Sequence, residues 1–589
     1  MDKSFTTKQL LISLWHQLRP RRKKQFGFLL ILMIVTSFSE IFTLGAVLPF
    51  LAVLTAPQLV FEHPSTQFFI QGFGLKSQDQ LILPITIFFC LAIISGGSMR
   101  LLLLWATTRI SFVTGAEISF NIYRRTLYQP YLIHVARNSN DIINSIWSKS
   151  SETTTIITML CNFIAASFIL AAVIIVLLFM SPLIALISFF GFGSIYALIL
   201  FKTRNLLFIN SQSISRESTS VLKALQEGLA CIRDVLIDGS QETFLQIYRD
   251  ADQKLRRAYA ANSFIGGFPR HGVETIGTLL IALSAYSLSL QTNGLAMAIP
   301  ILGTIAYSAQ RLLPVLQQGY GACTYILAGR ASLQDVLLLL EQPLPEFVED
   351  PFFLEPIPFH KDIELRHLSF RYNEQTPWIL KNLNLSIEKG SKVGLIGETG
   401  SGKSTLLDVL MGLLQPTEGS LEIDGRSLSA SNLRTWQVRI AHVPQVIFLI
   451  DSTIEDNIAF GVPKNQIDQN RVRKAAHQAQ IANTIEGWSE QYQTFVGERG
   501  VRLSGGQRQR IGIARALYKQ ADVIVFDEAT SALDNETELA VTEAIESLGN
   551  NLTVIIVAHR LSTLRKCSKI IELAEGGILR TGTYEDLVS

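Results

Sequence analysis

Charge is what this sequence has little of. Only 17% of its 589 residues are Asp, Glu, Lys or Arg, and the two signs nearly cancel to a formal +2. So balanced a chain offers neither the basic footprint of a nucleic-acid binder nor an acidic tail, and no nucleic-acid partner is expected. Cysteine is scarce too. Cys90, Cys161, Cys231, Cys323 and Cys567 lie far apart, without the paired spacing of a zinc site or a disulfide framework, and read as structural thiols. The opening stretch "MDKSFTTKQLLISLWHQLRPRRKK" has no small-residue cleavage site and no apolar core directly behind its charges, which argues against a removable signal peptide. What the chain does have is apolar sequence: 48% hydrophobic residues, mean hydropathy +0.30, and a length beyond what one core organises.

Apolar runs dominate up to about residue 325. Six of them, at 26–55, 82–108, 155–180, 182–202, 263–290 and 295–318, are long enough to cross a hydrocarbon core of about 30 Å at about 1.5 Å per residue. The turns "MSP" (180–182) and "QTNG" (291–294) carry no Lys or Arg. Arg19, Arg21, Arg22, Lys23 and Lys24 precede the first run, and the long charged connections 119–150 and 203–260 hold Arg124, Arg125, Arg137, Lys149, Arg233 and Lys254. Positive residues mark the cytosolic side, so both termini are expected there, in a multi-pass protein of the inner or plasma membrane. Leu10, Leu11, Leu14, Trp15 and Leu18 share one helical face, which predicts that residues 1–25 form an amphipathic segment, either lying in the bilayer interface or a plain cytosolic helix. The connection 57–80 predicts a short helix on the outer surface.

Past residue 343 the pattern changes to short strands and helices: "IELRHLSFRY", "SLEIDG", "DVIVFDEAT", "VIIVAH". The predicted fold is therefore a helical membrane domain (26–325), a linker (326–358) and an α/β nucleotide-binding domain (359–589).

The segment "GETGSGKST" (397–405) follows the apolar strand "KVGLIG" and precedes the helix "TLLDVLMGLL". A phosphate-binding loop needs that context: glycines let backbone N–H groups close around phosphate oxygens at a helix N-terminus. Gly397, Glu398, Thr399, Gly400, Ser401, Gly402, Lys403, Ser404 and Thr405 are thus candidate ATP contacts. Lys403 can reach the β- and γ-phosphates, and the Ser404 hydroxyl can ligate Mg²⁺. In "VIVFDE", Asp527 can hold Mg²⁺ through water, and Glu528 can polarise the attacking water as a general base. "LSGGQRQR" (503–510) supplies a second anion-seeking helix N-terminus, which a domain with its own phosphate loop does not need.

Here the chain closely resembles the ATP-binding cassette family, whose signature is Leu503 to Gln507. The resemblance implies head-to-tail pairs in which Ser504, Gly505, Gly506 and Gln507 of one chain complete the ATP site of the other. It implies further roles in order: Tyr372 stacks on adenine, and Gln445 senses Mg²⁺ and the attacking water. "GERG" (497–500) touches coupling helices, Asp534 in "SALD" crosses the dimer, and His559 contacts the γ-phosphate. Six spans followed by one such domain look like a half-size exporter of type I architecture, hydrolysing ATP with Mg²⁺ as a homodimer. Segments near 131–147 and 234–246 are the candidate coupling helices.

Five charges stand deep inside the spans, away from Lys202 at the very end of the fourth. Counted from the outer ends, Glu40, Arg100, Arg270, Glu274 and Arg311 fall in one band about 22–30 Å deep. Either they pair, Glu40 with an arginine and Arg270 with Glu274 at i, i+4, or their arginine surplus lines a cavity for an anionic head group. Both readings are compatible. Pro49, Pro269, Pro300 and Pro314 fit kinked or broken helices around such a cavity. The runs "SEIFTLGAVLPFLAV", "GGFPRHGVETIG" and "AQRLLPVL" resemble bacterial exporters that flip lipid-linked oligosaccharides, and related cyanobacterial exporters of heterocyst envelope polysaccharide. That resemblance implies a glycan on a polyprenyl pyrophosphate, moved from the cytosolic to the outer leaflet. The competing readings are a multidrug or lipid A-like exporter, and a cassette ATPase serving as a regulator or channel gate.

Overall fold

The computed structural model describes residues 5–55, 61, 77–180, 182–289, 294–345, 348, 357–429, 432–528, 552–558 and 564–588. They form two units, Met1–Gln129 with Arg137–Pro343, and Pro130–Ala136 with Leu344–Ser589.

The first unit is helical. Its long helices are Pro20–Thr55, Ile82–Leu127, Ser150–Met180, Pro182–Ala230, Gln241–Ser289 and Gly294–Ala328. Among the described residues, Pro20–Thr43, Ile82–Leu127, Ser139–Phe179 and Phe189–Ala230 are long and apolar enough to cross a membrane. The expected fifth and sixth spans lie on the last two helices, parts of which fall outside the described residues, as does most of the connection 57–80. Large apolar side chains such as Phe28, Leu101 and Phe179 face outward, a surface suited to lipid.

Pro269 sits inside the continuous helix Gln241–Ser289, so the chain is not broken there. A proline has no N–H to give the carbonyl four residues back, and its ring disturbs the turn before it. The neighbouring helix supplies the donors: Tyr320 Oη–H donates to Ile265 O at 2.8 Å, and Gln317 Nε2 to Gly266 O at 3.0 Å. Tyr196 Oη–H in turn donates to Gln317 Oε1 at 3.0 Å. Pro314 likewise lies within the helix Gly294–Ala328, while the side chains of Pro49 and Pro300 lie outside the described residues. Among the described residues a sharp bend lies at Gly329, where Leu312–Ala328 and Arg330–Leu340 meet at 56°.

The N-terminal helix Thr7–Gln17 carries the expected amphipathic face. Thr6 and Gln9 close a capping box at its start. Leu10 and Leu14 are buried against Ile118, Ile156, Leu333 and Leu337, so half of the apolar face packs on protein, while Trp15 stays exposed. An amphipathic pattern says that a face will be covered, and not by what; here Arg330–Leu340, amphipathic itself, covers it.

The first expected coupling segment divides into helices Tyr131–Ala136 and Ser139–Asn144 and a π-helical turn Ser145–Lys149. Only residues 130–136 of it group with the second unit. The second segment contains the short helix Ile232–Ile237 and the start of Gln241–Ser289.

The second unit holds two sheets. Strands β1 (Asp362–Phe370), β2 (Leu380–Glu388), β4 (Glu418–Ile423) and β5 (Arg426–Ser427) form an antiparallel sheet in the order β2-β1-β4-β5. β3 (Lys392–Gly397), β6 (Ile440–Val443), β7 (Val523–Asp527), β8 (Thr553–Val557), β9 (Lys569–Ala574) and β10 (Gly577–Gly582) form the other, in the order β10-β9-β3-β8-β7-β6. β3 is parallel to both β8 and β9, and β7 to both β6 and β8. Strands buried on both faces read as the unbroken apolar runs seen in the sequence. Fully buried Trp436 packs edge-on to Phe359, 5.7 Å between ring centroids, and anchors the core beneath the phosphate loop's helix by donating to Leu410 O at 2.9 Å.

Candidate functional site

The loop between β3 and the helix Lys403–Leu410 turns on three glycines at positive φ: Gly397 (148°), Gly400 (88°) and Gly402 (99°). A Cβ at Gly397 would lie 2.3 Å from Leu573 O, so only glycine fits. Lys403 is buried and its Nζ donates to Gly397 O at 2.7 Å and Glu398 O at 2.9 Å, which lays the ammonium along the loop's concave side. The first N–H groups of its helix have no acceptor within the helix by position. Ser401 Oγ is buried without a hydrogen-bond partner among the described residues. Glu398 and Thr399 complete the loop, Ser404 is exposed, and Thr405 is buried. Unclaimed donors, one ammonium and a turn whose Gly397 and Gly402 admit no Cβ fit a polyphosphate.

β7 brings the acids. Gln445 Nε2 donates to Glu528 Oε2 at 2.6 Å, so the two residues expected to handle the attacking water are already in contact. Glu528 holds a left-handed backbone at φ 50°, unusual for a residue with a side chain, and its N–H is fixed to Val557 O at 3.1 Å. Burial, with Glu528 adjacent, pushes the Asp527 carboxyl up, partly offset by Lys403. Two acids stacked at a strand end with one ammonium fit a divalent cation held by Asp527, the Ser404 hydroxyl and phosphate oxygens.

Asp408, one turn beyond Ser404, is a residue that sequence reasoning missed. Burial and the Asp527 charge push its carboxyl up to about 6. The signal was available: an acid inside the apolar run "TLLDVLMGLL". Because the folded state holds this proton between about pH 4 and 6 and the unfolded state does not, stability falls as pH rises through that window. Asp408→Asn is therefore expected to stabilise the protein at pH 7.5 by about 1–2 kcal/mol, after discounting a half-buried group for solvent screening, with the gap closing near pH 4. Thermal unfolding at the two pH values checks this; an equal gap at both would remove the coupling.

Tyr372 is partly exposed beside Phe370, edge to face at 5.2 Å, leaving a ring face for stacking. Burial, with smaller contributions from the Asp408 and Tyr372 charges, pushes the phenol of Tyr131 up; its segment groups with this unit. Ser504 is the N-cap of the helix Gly505–Lys519: its Oγ accepts from Gln507 N at 3.2 Å, and Gln507 Oε1 accepts from Ser504 N at 2.9 Å. The box fixes the N–H groups of Gly505 and Gly506 at the helix end, facing outward for a ligand. Asp534 and His559 lie outside the described residues.

Of the five charges expected in one band, four are paired with one another. Arg100 Nε donates to Glu40 Oε1 at 2.6 Å; the carboxylate is 9% exposed and the guanidinium 51%. The register has a visible cause. Thr43 Oγ1–H donates to Ala92 O at 3.2 Å, and a Cβ at Gly96 would meet Thr43 Oγ1 at 2.6 Å, so the first two long helices touch there. One turn further on each helix stand Glu40 and Arg100. Arg270 Nε donates to Glu274 Oε1 at 3.0 Å on an exposed helix face. The Arg311 side chain lies outside the described residues.

Residues 380–531 match the ABC transporter family. An ATP-dependent lipid A-core flippase of Alkalilimnicola ehrlichii is 37% identical over 289 residues, 49% of this chain and 48% of the relative. ABC transporter B family member 15 of Arabidopsis thaliana is 31% identical over 398 residues, 67% of this chain and 32% of the relative. Another lipid A-core flippase, from Cupriavidus metallidurans, is 26% identical over 80% of this chain and 79% of its own length. The matched stretch covers about half or less of the length of the first two of these relatives and 79% of the third. Among solved structures, a bacterial Atm1-family ABC exporter with ATP bound superposes with a TM-score of 0.76 over 96% of both chains, at 23% identity.

Proposed function

From a chain that carries an ABC transporter ATPase domain on an exporter fold, we propose that two copies form an ATP-driven flippase of the inner or plasma membrane, with both termini cytosolic. Each ATP is held by one chain's phosphate loop and Tyr372, and capped by Ser504, Gly505, Gly506, Gln507 and Asp534 of the other. Lys403 neutralises the β- and γ-phosphates. Glu528 accepts the proton of the attacking water, which Gln445 and His559 help to orient. Mg²⁺, held by Ser404, Gln445 and Asp527, would supply the charge that draws electrons toward the leaving group.

The proposed cargo is a lipid-linked oligosaccharide with an anionic phosphate head. The observation that carries this is the Arg100–Glu40 pair: a buried carboxylate holds an arginine whose guanidinium remains half exposed within the spans. A planar fork held this way binds a phosphate oxygen pair, and a pyrophosphate cannot cross hydrocarbon unaided. Arg270, Glu274 and Arg311 extend the same band. A second reading, a lipid A-like cargo, is favoured by what the curated relatives are named for, and such a lipid also carries phosphates. Reconstituted protein distinguishes them. ATP-dependent loss of a polyprenyl-pyrophosphate oligosaccharide from the outward-cassette leaflet of liposomes is expected; movement of lipid A alone would select the second reading, and of neither would end both.

A further inference from the structure

The helix leading into Ser150–Met180 carries an irregular turn. Ser139–Phe179 runs on as one helix, yet Ser145–Lys149 within it is π-helical, closed by Ser150 N–H donating to Ser145 O five residues back. Single turns of this kind are rare and cluster at functional sites. On an α-helix, residues five apart stand about 140° from each other around the axis. Across the π turn, Asn144 and Lys149 instead reach toward the same neighbour. Asn144 Nδ2 donates to Ser218 Oγ at 2.9 Å and Thr219 Oγ1 at 3.0 Å. Lys149 Nζ donates to Asp335 Oδ2 at 2.6 Å, an oxygen that also accepts from Ser215 Oγ at 2.6 Å. Ser215, Ser218 and Thr219, at i, i+3 and i+4, form one face of the helix Pro182–Ala230.

Three segments thus meet at Asp335: the π turn, the helix Pro182–Ala230, and Arg330–Leu340, whose Ala331 N also donates to Ser211 Oγ at 2.8 Å. The Lys149 side chain is 8% exposed and that of Asp335 36%. Among the described residues, Asp335 is the one side chain that takes the Lys149 ammonium. Arg330–Leu340 starts at the Gly329 bend, where a Cβ would meet Ile156 Cδ1 at 2.7 Å, and runs on into Gln342 and Pro343, where the helical unit ends. Arg125 donates to Gln342 O there, and Gln129 Nε2 to Pro343 O at 3.0 Å.

We infer that Lys149, Asp335 and the π turn form a two-register joint, which clasps the helix Arg330–Leu340 in one state of the ATP-driven cycle and frees it in the other. In the π register the pair is closed as described. Relaxation of the turn to regular α-helix swings Lys149 away from the face on which Asn144 stands, and the pair opens. The released carboxylate is partly exposed and hydrates where it is. The ammonium is buried, and an unpaired buried charge is costly, so it has to move out to water. Opening therefore exposes Lys149 Nζ. Lys149 and Asp335 are positioning residues: they stand in the helical unit and the phosphate loop in the other. The inference rests on the reading that ATP drives the cycle.

Lysine acetylation read by mass spectrometry tests this on the full-length chain in lipid nanodiscs, without nucleotide and after trapping with ATP, Mg²⁺ and vanadate. Reactivity follows the open population, so the rate at Lys149 is expected to differ by about tenfold or more between the two states. Asp335→Asn keeps an acceptor for Ser215 but removes the charge, and should bring Lys149 to the faster rate in both states. Ser215→Ala, which leaves the ion pair in place, raises the slower rate in the same direction should Asp335→Asn fold poorly. Equal rates at Lys149 in both states of the parent, or a difference that survives Asp335→Asn undiminished, overturns the joint. Lys403 in the phosphate loop reports on the nucleotide itself. Shielding of Lys403 with no change at Lys149 sinks this inference alone; no change at either fails the ATP-driven reading, and the joint with it.

Discussion

Glu528→Gln is expected to lower ATP hydrolysis by about 10²–10⁴-fold while ATP still binds. The glutamine keeps the shape at the end of β7 and can still meet Gln445, 2.6 Å away in the parent, but cannot take a proton. Nothing in the phosphate loop changes, because Lys403 and the glycines stand on β3 and its own helix. Loaded at about a hundredfold above its dissociation constant, ATP should therefore stabilise the variant by about 2.7 kcal/mol. Single-turnover hydrolysis and thermal unfolding with and without ATP and Mg²⁺ read out both halves. A loss of only two- or threefold would assign the base to another group. Loss of the ATP-induced stabilisation would show that the substitution damaged binding rather than chemistry.

The second large effect belongs to the Arg100–Glu40 pair. Arg100→Ala strands a carboxylate that is 9% exposed, and an uncompensated buried charge costs about 3–5 kcal/mol. Glu40→Gln should cost less, about 1 kcal/mol, because the half-exposed guanidinium can turn to water or a lipid phosphate. The double variant Glu40→Gln/Arg100→Ala should then be more stable than Arg100→Ala alone, a coupling that a double-mutant cycle of thermal unfolding in one detergent would measure. If the two single effects simply add, the contact contributes nothing to stability and the arginine is held by something else.

The phosphate loop, the strand carrying Asp527 and Glu528, and the signature helix were legible because their chemistry admits few residue types. Gly397 tolerates no Cβ, and Ser504 with Gln507 writes a capping box into the sequence itself. What was not legible depends on distant partners. Either of three arginines could have met Glu40; the choice follows from the contact of Thr43 with Gly96, which joins segments 53 residues apart (96 against 43). The burial of Leu10 and Leu14 depends on Arg330–Leu340, at the far end of the helical unit's sequence. The continuity of the helix through Pro269 rests on Tyr320 and Gln317, donors that no local rule reveals.

The left-handed backbone at Glu528 bears on how such a protein changes over generations. A residue with a side chain at φ 50° carries a conformational cost of about 1–2 kcal/mol that glycine would escape. On the role proposed for Glu528, mutational drift at this codon has a direction: toward relaxed, sturdier and catalytically silent descendants. An acid persists there only while selection on turnover outweighs that slope. In a duplicated copy freed from turnover, this position should be among the first to go.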